Sequence, residues 1–251
     1  PPSAPPPHAA IPNAPAPSAP SSSGRIWATF CHLFYFVSFP TLFLGTFVTL
    51  GIWLLFGRGD AHVGEQGREA LNFQINVAVL TALLALVDRY QRGDAADRRA
   101  CVDFYLARLG RVNGWDLVDS SAPHILGASL VGRPAAERRI LDRLARSPSV
   151  WERRVAMLAT QALLRAGDPA DTARIAALLL DDSHDLIHKA VGWMVRELGV
   201  HVGAAARDAF LAAHAARMPR TALRYAIEHL PAAARARWLA APRASAPRRG
   251  H

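Results

Sequence analysis

The nine residues from Asn113 to Ser121 bring an indole and a carboxylate within one helical turn. Read as a helix, the stretch places Trp115, Val118 and Asp119 on one face, because residues three and four apart are neighbours there. An aromatic face holds a cation or the apolar face of a sugar, and a carboxylate beside it stabilises positive charge that develops in a reaction. The plainer use of the same residues is a core tryptophan with a helix-capping aspartate. The wider pattern separates the two readings.

Counting forward from Asp119 in steps of 35 lands on Arg154, Lys189 and Arg224. The last three share a context, Arg154-Val155-Ala156, Lys189-Ala190-Val191 and Arg224-Tyr225-Ala226, each early in an apolar helical stretch. A fixed period of this size predicts an all-α array of two-helix repeats, an α-solenoid, in which equivalent positions stack in a row along one surface. One carboxylate followed by three cations suits a polyanion with a reactive centre at one end.

The elements that must carry this row come in two compositions. Residues 1–99 hold 7 basic and 6 acidic groups, and residues 100–251 hold 22 and 14, so the excess positive charge belongs to the second part. Such an excess points to an anionic partner, nucleic acid or a membrane surface. Every basic residue except Lys189 is arginine, the better side chain for forked phosphate contacts. Cys31 and Cys101 stand alone, which implies no disulfide framework and fits a reducing compartment.

Residues 1–24 are mainly Pro, Ala and Ser and read as a disordered leader. Ile26 to Phe56 contains no Asp, Glu, Lys or Arg, longer than the roughly 20 residues that cross a bilayer, with Pro40 and Gly45 as breaks. Ala70 to Val87 supplies a second uncharged run, with Asn72, Gln74 and Asn76 near its start. Residues 25–88 therefore read as a transmembrane helical domain, with the lipid bilayer as partner of residues 26–87. His32-Leu33, Gly51 to Leu55 and Gly67-Arg68-Glu69-Ala70-Leu71-Asn72-Phe73-Gln74 resemble a small, uncharacterised bacterial membrane family with a Tic20-like domain. Residues 89–100 read as a charged linker, and Arg89, Arg92, Arg98 and Arg99 favour the cytoplasmic side. The predicted location is the cytoplasmic membrane, with the C-terminal domain facing the cytoplasm.

From residue 101 to 240 the pattern is helix after helix, and 241–251 is a loose basic tail. Pro134 opens Ala135 to Ala145, and Ser149 is placed to cap Val150 to Leu164 before Gly167-Asp168-Pro169. Ala170 to Leu180 and His184 to Leu198 make the next pair, ended by Gly199. Val202 to Arg217 and Thr221 to Leu230 follow, with no strand-like alternation.

Four motifs in order then carry a resemblance: Asn113-Gly114-Trp115-Asp116-Leu117-Val118-Asp119, Trp151 to Ala156, Asp185 to Glu197, and Met218 to Ala226. The region is similar to the AlkD-type DNA alkylation repair glycosylases. That resemblance implies HEAT-like repeats binding duplex DNA, and excision of positively charged N3- and N7-alkylpurines by a monofunctional glycosylase. By motif it implies Asp119 as catalytic carboxylate, Trp115 and Trp193 against the lesion nucleotide, and Arg154 and Arg196 near the DNA backbone. Lys189 and Arg224 join the backbone contacts through the cationic row. The family carries further repeats before the Trp-Asp-Leu-Val-Asp motif, where this chain has its apolar region; a non-enzymatic, membrane-anchored scaffold binding DNA or protein, or an inactive truncated relative, is the alternative.

No cofactor is expected. His184 and His188 have an i, i+4 spacing that suits zinc, but the sequence offers no third ligand in an obvious place, and no metal is expected. No Gly-rich phosphate loop or nucleophile elbow is present, so no nucleotide cofactor is expected.

Overall fold

The computed structural model describes residues 23, 25–27, 29, 30 and 44–240. Most of the leader, the stretch 31–43 with Cys31 and Pro40, and the tail 241–251 lie outside the described residues. The described elements are all helical. They divide into two compact units, residues 1–79 and 80–251.

In the first unit, α1 (Leu44–Phe56) turns back through Gly57 to Asp60 into α2 (Ala61–Arg92). Asp60 starts α2, its Oδ1 accepting from the backbone N–H of His62 at 2.9 Å. The hairpin closes on glycine: a Cβ on Gly64 would lie 2.7 Å from the Gly57 carbonyl oxygen, and one on Gly67 would lie 2.7 Å from the Trp53 ring. Trp53 Nε1 donates to the Gly64 carbonyl at 3.1 Å, and Gln74 Nε2 donates to the buried Thr49 hydroxyl at 3.0 Å. Ile52, Val63 and Ala70 form the small core, while Phe47, Leu54, Leu55, Phe73 and Ile75 stay exposed. Among the described residues α2 is the one helix long and apolar enough to cross a membrane.

The second unit begins inside α2. From there Leu80, Leu83, Leu86, Val87 and Tyr90 recur at helical spacing and pack into its core. Residues 89–100, read from composition as a linker, are folded: α2 ends at Arg92, Gly93 breaks it, and Asp94 accepts from the N–H groups of Ala96 and Asp97 at 2.9 Å to start α3 (Ala95–Ala107). A 3₁₀ turn (Leu109–Arg111) leads to α4 (Trp115–Ser121), a π-wound turn (Pro123–Gly127) and α5 (Ala128–Leu130). After α6 (Ala135–Arg138) and α7 (Ile140–Ala145) come the long α8 (Val150–Arg165), then α9 (Ala170–Leu178), α10 (Asp185–His201), α11 (Ala204–His214), α12 (Arg220–Ala226) and α13 (Ala232–Ala240).

The predicted period is present in the helix starts. α4, α8, α10 and α12 begin at Trp115, Val150, Asp185 and Arg220, each 35 residues after the last. Asp119, Arg154, Lys189 and Arg224 are therefore each the fifth residue of their helix. α8 packs on α4 and the π turn, α10 on α8, and α12 on α10, while α7 and α9 pack together behind them. This two-layer stacking of helix pairs is a helical repeat array. Two glycines permit the closest approaches: a Cβ on Gly127 would lie 2.2 Å from the Ala159 carbonyl oxygen, and one on Gly192 2.3 Å from that of Ala222.

Local signals fixed several boundaries. Ser149 caps α8 through the Glu152 N–H, as its position predicts. The expected stop at Gly199 is passed; α10 runs on to His201, and the turn is made by Gly203 at φ +127°, a conformation that favours glycine. Gly199 lies against Arg207, whose guanidinium would be 3.1 Å from an added Cβ, so its missing side chain serves packing instead.

Candidate active site

Asp119 is where the stacked helices meet a charge. Arg154 reaches from α8 and grips both its carboxylate oxygens, Nε to Oδ1 at 2.8 Å and Nη2 to Oδ2 at 2.7 Å. The third arm, Nη1, donates to the Leu186 carbonyl at the start of α10 at 2.6 Å. One guanidinium thus ties three successive repeats. Arg154 is 5% exposed. It was expected among the backbone-binding cations; its burial and partners instead make it the holder of the Asp119 carboxylate. A forked arginine fixes the plane of a carboxylate as well as its position.

α4 itself is braced from below. Tyr105, fully buried in α3, shares a hydrogen bond of 3.0 Å with the Ser121 hydroxyl, which donates to the Leu117 carbonyl at 2.6 Å. Burial pushes the Tyr105 hydroxyl up to about 12, against the weaker opposing effect of its Ser121 bond. Proline at 123 lacks an N–H, and the chain continues with wider pitch, the Gly127 N–H reaching the Ala122 carbonyl five residues back at 2.9 Å.

Trp115 opens α4 one turn before Asp119 and is 59% exposed, which sets aside its use as a core tryptophan. Lys189 lies beyond Arg154 in the row. Its ammonium pairs with Asp185 at 2.8 Å, and that hydrogen bond is the main reason its pKa is raised. Asp185 is correspondingly lowered, first by Lys189 and then by a hydrogen bond from Thr221 on α12. Tyr225, exposed on α12, is within electrostatic reach of Lys189, as is Arg154. Arg224 is exposed and has no ion-pair partner among the described residues.

Trp193 and Arg196 lie one and two turns beyond Lys189 on the same stripe of α10, about 6 and 10 Å along its axis. Neither shares a bond with the Asp119–Arg154 pair. Trp193 is half-buried, and its Nε1 donates to Glu197 Oε1 at 3.1 Å. Arg196 pairs with Glu228 and lies 3.8 Å from Glu197, while its buried Nε has no hydrogen-bond partner. Glu197 also meets His201 Nε2 at 3.1 Å, so one carboxylate orients an indole, an arginine and a histidine. Sequence reasoning missed Glu197; its signal was the i, i+4 spacing from Trp193. The histidines with zinc-like spacing have other uses: His184 caps α10, and His188 Nε2 meets the Asp182 carbonyl at 2.6 Å.

The sequence profile of a family described as DNA alkylation repair enzyme matches residues 69–230, well over half of the chain. The chain belongs to the DNA alkylation repair enzyme family. The match starts well before residue 101, where the motifs alone placed the resemblance, and so takes in much of α2. A second profile, the magnetosome magnetite crystal formation protein family, matches residues 23–107. It replaces the Tic20-like domain expected there: the string Gly67 to Gln74 on which that expectation rested falls in the stretch that this second family describes. The two matches overlap over residues 69–107. No curated protein matches the chain.

Proposed function

We propose that the repair-family unit binds duplex DNA across the face carrying Asp119 and hydrolyses the N-glycosidic bond of cationic N3- and N7-alkylpurines. The observation that carries this reading is the carboxylate of Asp119, gripped at both oxygens by a buried arginine, one helical turn after the exposed indole of Trp115. An alkylated purine already bears positive charge and leaves as a neutral base. Bond breaking therefore needs little acid help, and the charge passes to a sugar that becomes oxocarbenium-like. Asp119 stabilises that cation through the lone pairs Arg154 leaves open and orients the water that adds to C1′. The water's second proton leaves to Asp119 or solvent, and the products are free base and an abasic site.

Trp115 and Trp193 offer ring faces to the cationic base or sugar, on the order of 0.5–2 kcal/mol each. Lys189, Arg224 and Arg196 are assigned to phosphates, Lys189 and Arg224 more strongly because the charge of Arg196 is offset by Glu228 and Glu197. Lys189 is the chain's single lysine, and its ion pair with Asp185 keeps it protonated and a poor nucleophile. Simple hydrolysis follows, without a Schiff base or strand cleavage.

For the first unit we assign association with a bilayer, through the exposed apolar side chains of α1 and of α2 before Leu80, since the expected membrane segment beyond that point, Leu80 to Val87, packs into the core of the second unit instead. The arginines after Val87 favour a cytoplasmic repair unit. Recovery of the full chain in the soluble fraction without detergent would remove this assignment.

The decisive test is release of 7-methylguanine or 3-methyladenine from alkylated duplex DNA by the full chain. Asp119→Asn should lower release by about 10²–10³-fold, as for loss of one electrostatic stabiliser, while leaving salt-sensitive DNA binding intact. Release by Asp119→Asn at the wild-type rate, or a borohydride-trapped adduct that vanishes in Lys189→Ala, refutes the mechanism.

A further inference from the structure

Away from the repair face, the turn of the first unit places two arginines on one hollow, in a stretch that also carries Asp60, Glu65 and Glu69. A cavity of about 250 Å³ is lined by Trp53, Leu54, Gly57, Arg58, Ala61, Gly64 and Arg68. Arg58 and Arg68 are both exposed, and neither has an ion-pair partner among the described residues. The nearby Asp60 is committed to its helix, its Oδ1 accepting from the N–H groups of His62 at 2.9 Å and Val63 at 3.3 Å. Other arginines among the described residues are paired across helices, as at Arg138 with Asp168 and Arg153 with Asp182.

Two guanidiniums on one hollow repel each other unless an anion lies between them. The hollow is also preformed. Its floor is backbone, where Gly57 and Gly64 meet so closely that a Cβ on Gly64 would be 2.7 Å from the Gly57 carbonyl oxygen. Trp53 is fixed in the wall by its bond to the Gly64 carbonyl. The remaining wall is apolar, Leu54 and Ala61, and Leu55, next to Leu54 in α1 though not in the lining, is 76% exposed. Forked cations beside an apolar wall and an indole match a phosphate ester that carries a hydrocarbon chain.

We propose that Arg58 and Arg68 form a phosphate site for the headgroup of an anionic phospholipid, with Leu54 and Leu55 against its acyl chain. The proposal rests on the bilayer assignment of the first unit. It adds lipid selectivity, which general apolar insertion does not supply.

The test uses the full chain in neutral detergent, titrated calorimetrically with short-chain phosphatidylglycerol, short-chain phosphatidylcholine, inorganic phosphate and a short DNA duplex. Phosphatidylglycerol should bind at least tenfold more tightly than phosphatidylcholine or inorganic phosphate. That preference should fall to within twofold in Arg58→Gln/Arg68→Gln, with helical content by circular dichroism unchanged because both side chains are exposed. Equal binding of the two lipids, equal binding of inorganic phosphate, an unaltered double variant, or competition by the duplex for the Arg58/Arg68-dependent signal each overturns the proposal. Flotation with neutral vesicles separates the two ideas. Both proteins should float if the bilayer assignment holds, and a wild-type chain that stays at the bottom of the gradient with neutral vesicles refutes that assignment itself.

Discussion

The two units solve the same problem, joining apolar helices, by opposite means. In the first, glycine brings the helices together: Gly57 and Gly64 let backbone meet backbone, Gly67 makes room for the Trp53 ring, and the amide–hydroxyl bond from Gln74 to Thr49 is a buried polar link. In the repair unit, side chains bridge the gap. Arg154–Asp119, Arg138–Asp171, Arg174–Asp142 and Arg196–Glu228 join residues 32 to 35 positions apart, one repeat to the next. The difference follows from what each must leave outside. An array built on charged ties can present cations to an anionic polymer. A hairpin built on glycine spends almost no polar group inside and leaves Phe47, Leu55 and Phe73 outside.

Breaking the central tie should have the largest effect. Arg154→Ala removes one partner of a buried pair and leaves the Asp119 carboxylate, its side chain 18% exposed, without its guanidinium, which costs about 3–5 kcal/mol. Urea denaturation should show the loss, whereas Arg92→Ala, which breaks the exposed pair with Asp88, should shift the midpoint by less than about 0.5 kcal/mol.

The support beneath α4 gives a pH test. Tyr105 holds its proton to about pH 12 in the fold and to about 10.0 when unfolded. Between those values the unfolded chain binds fewer protons, so stability present below pH 10 falls as pH rises, by roughly 2–3 kcal/mol over the window. In Tyr105→Phe this fall should be absent from denaturation midpoints measured between pH 9 and 12.

The glycine hairpin should answer to bulk rather than charge. Gly64→Ala forces a Cβ against the Gly57 carbonyl, an overpacking cost of about 1–3 kcal/mol. Hydrogen exchange of α1 amides should quicken about tenfold or more, with α8 and α10 unchanged. The smallest effect belongs to the surface of the array. Lys189→Ala should lower the salt dependence of duplex binding by about one phosphate contact, read from the slope of log K against log salt, and retain base release.

Much of this was legible because a solenoid writes its period into the chain. The helix starts at Trp115, Val150, Asp185 and Arg220 follow the spacing that the charged row predicted. What the spacing concealed was the relation between neighbours in that row. Asp119 and Arg154 were read as two stations along one surface, but positions one repeat apart are also close enough to pair, and burial then decides which member faces outward. Sequence carries the period; it does not carry the tilt that turns Arg154 inward and Arg224 outward. Residues 89–100 misled for a related reason: charges on the outer sides of α2 and α3 dominate the composition, while Tyr90 and Cys101 vanish inside.

The three-armed reach of Arg154 gives the array a mechanical property. Repeat stacks bend by small rotations accumulated from one helix pair to the next, and a guanidinium attached to α4, α8 and α10 acts as a cross-brace on that bending mode. In the proposed function, curving the stack around a duplex would load the brace, and the first element to feel the load would be the carboxylate at its end. The shape of the DNA and the aim of Asp119 would then be two readings of one strain.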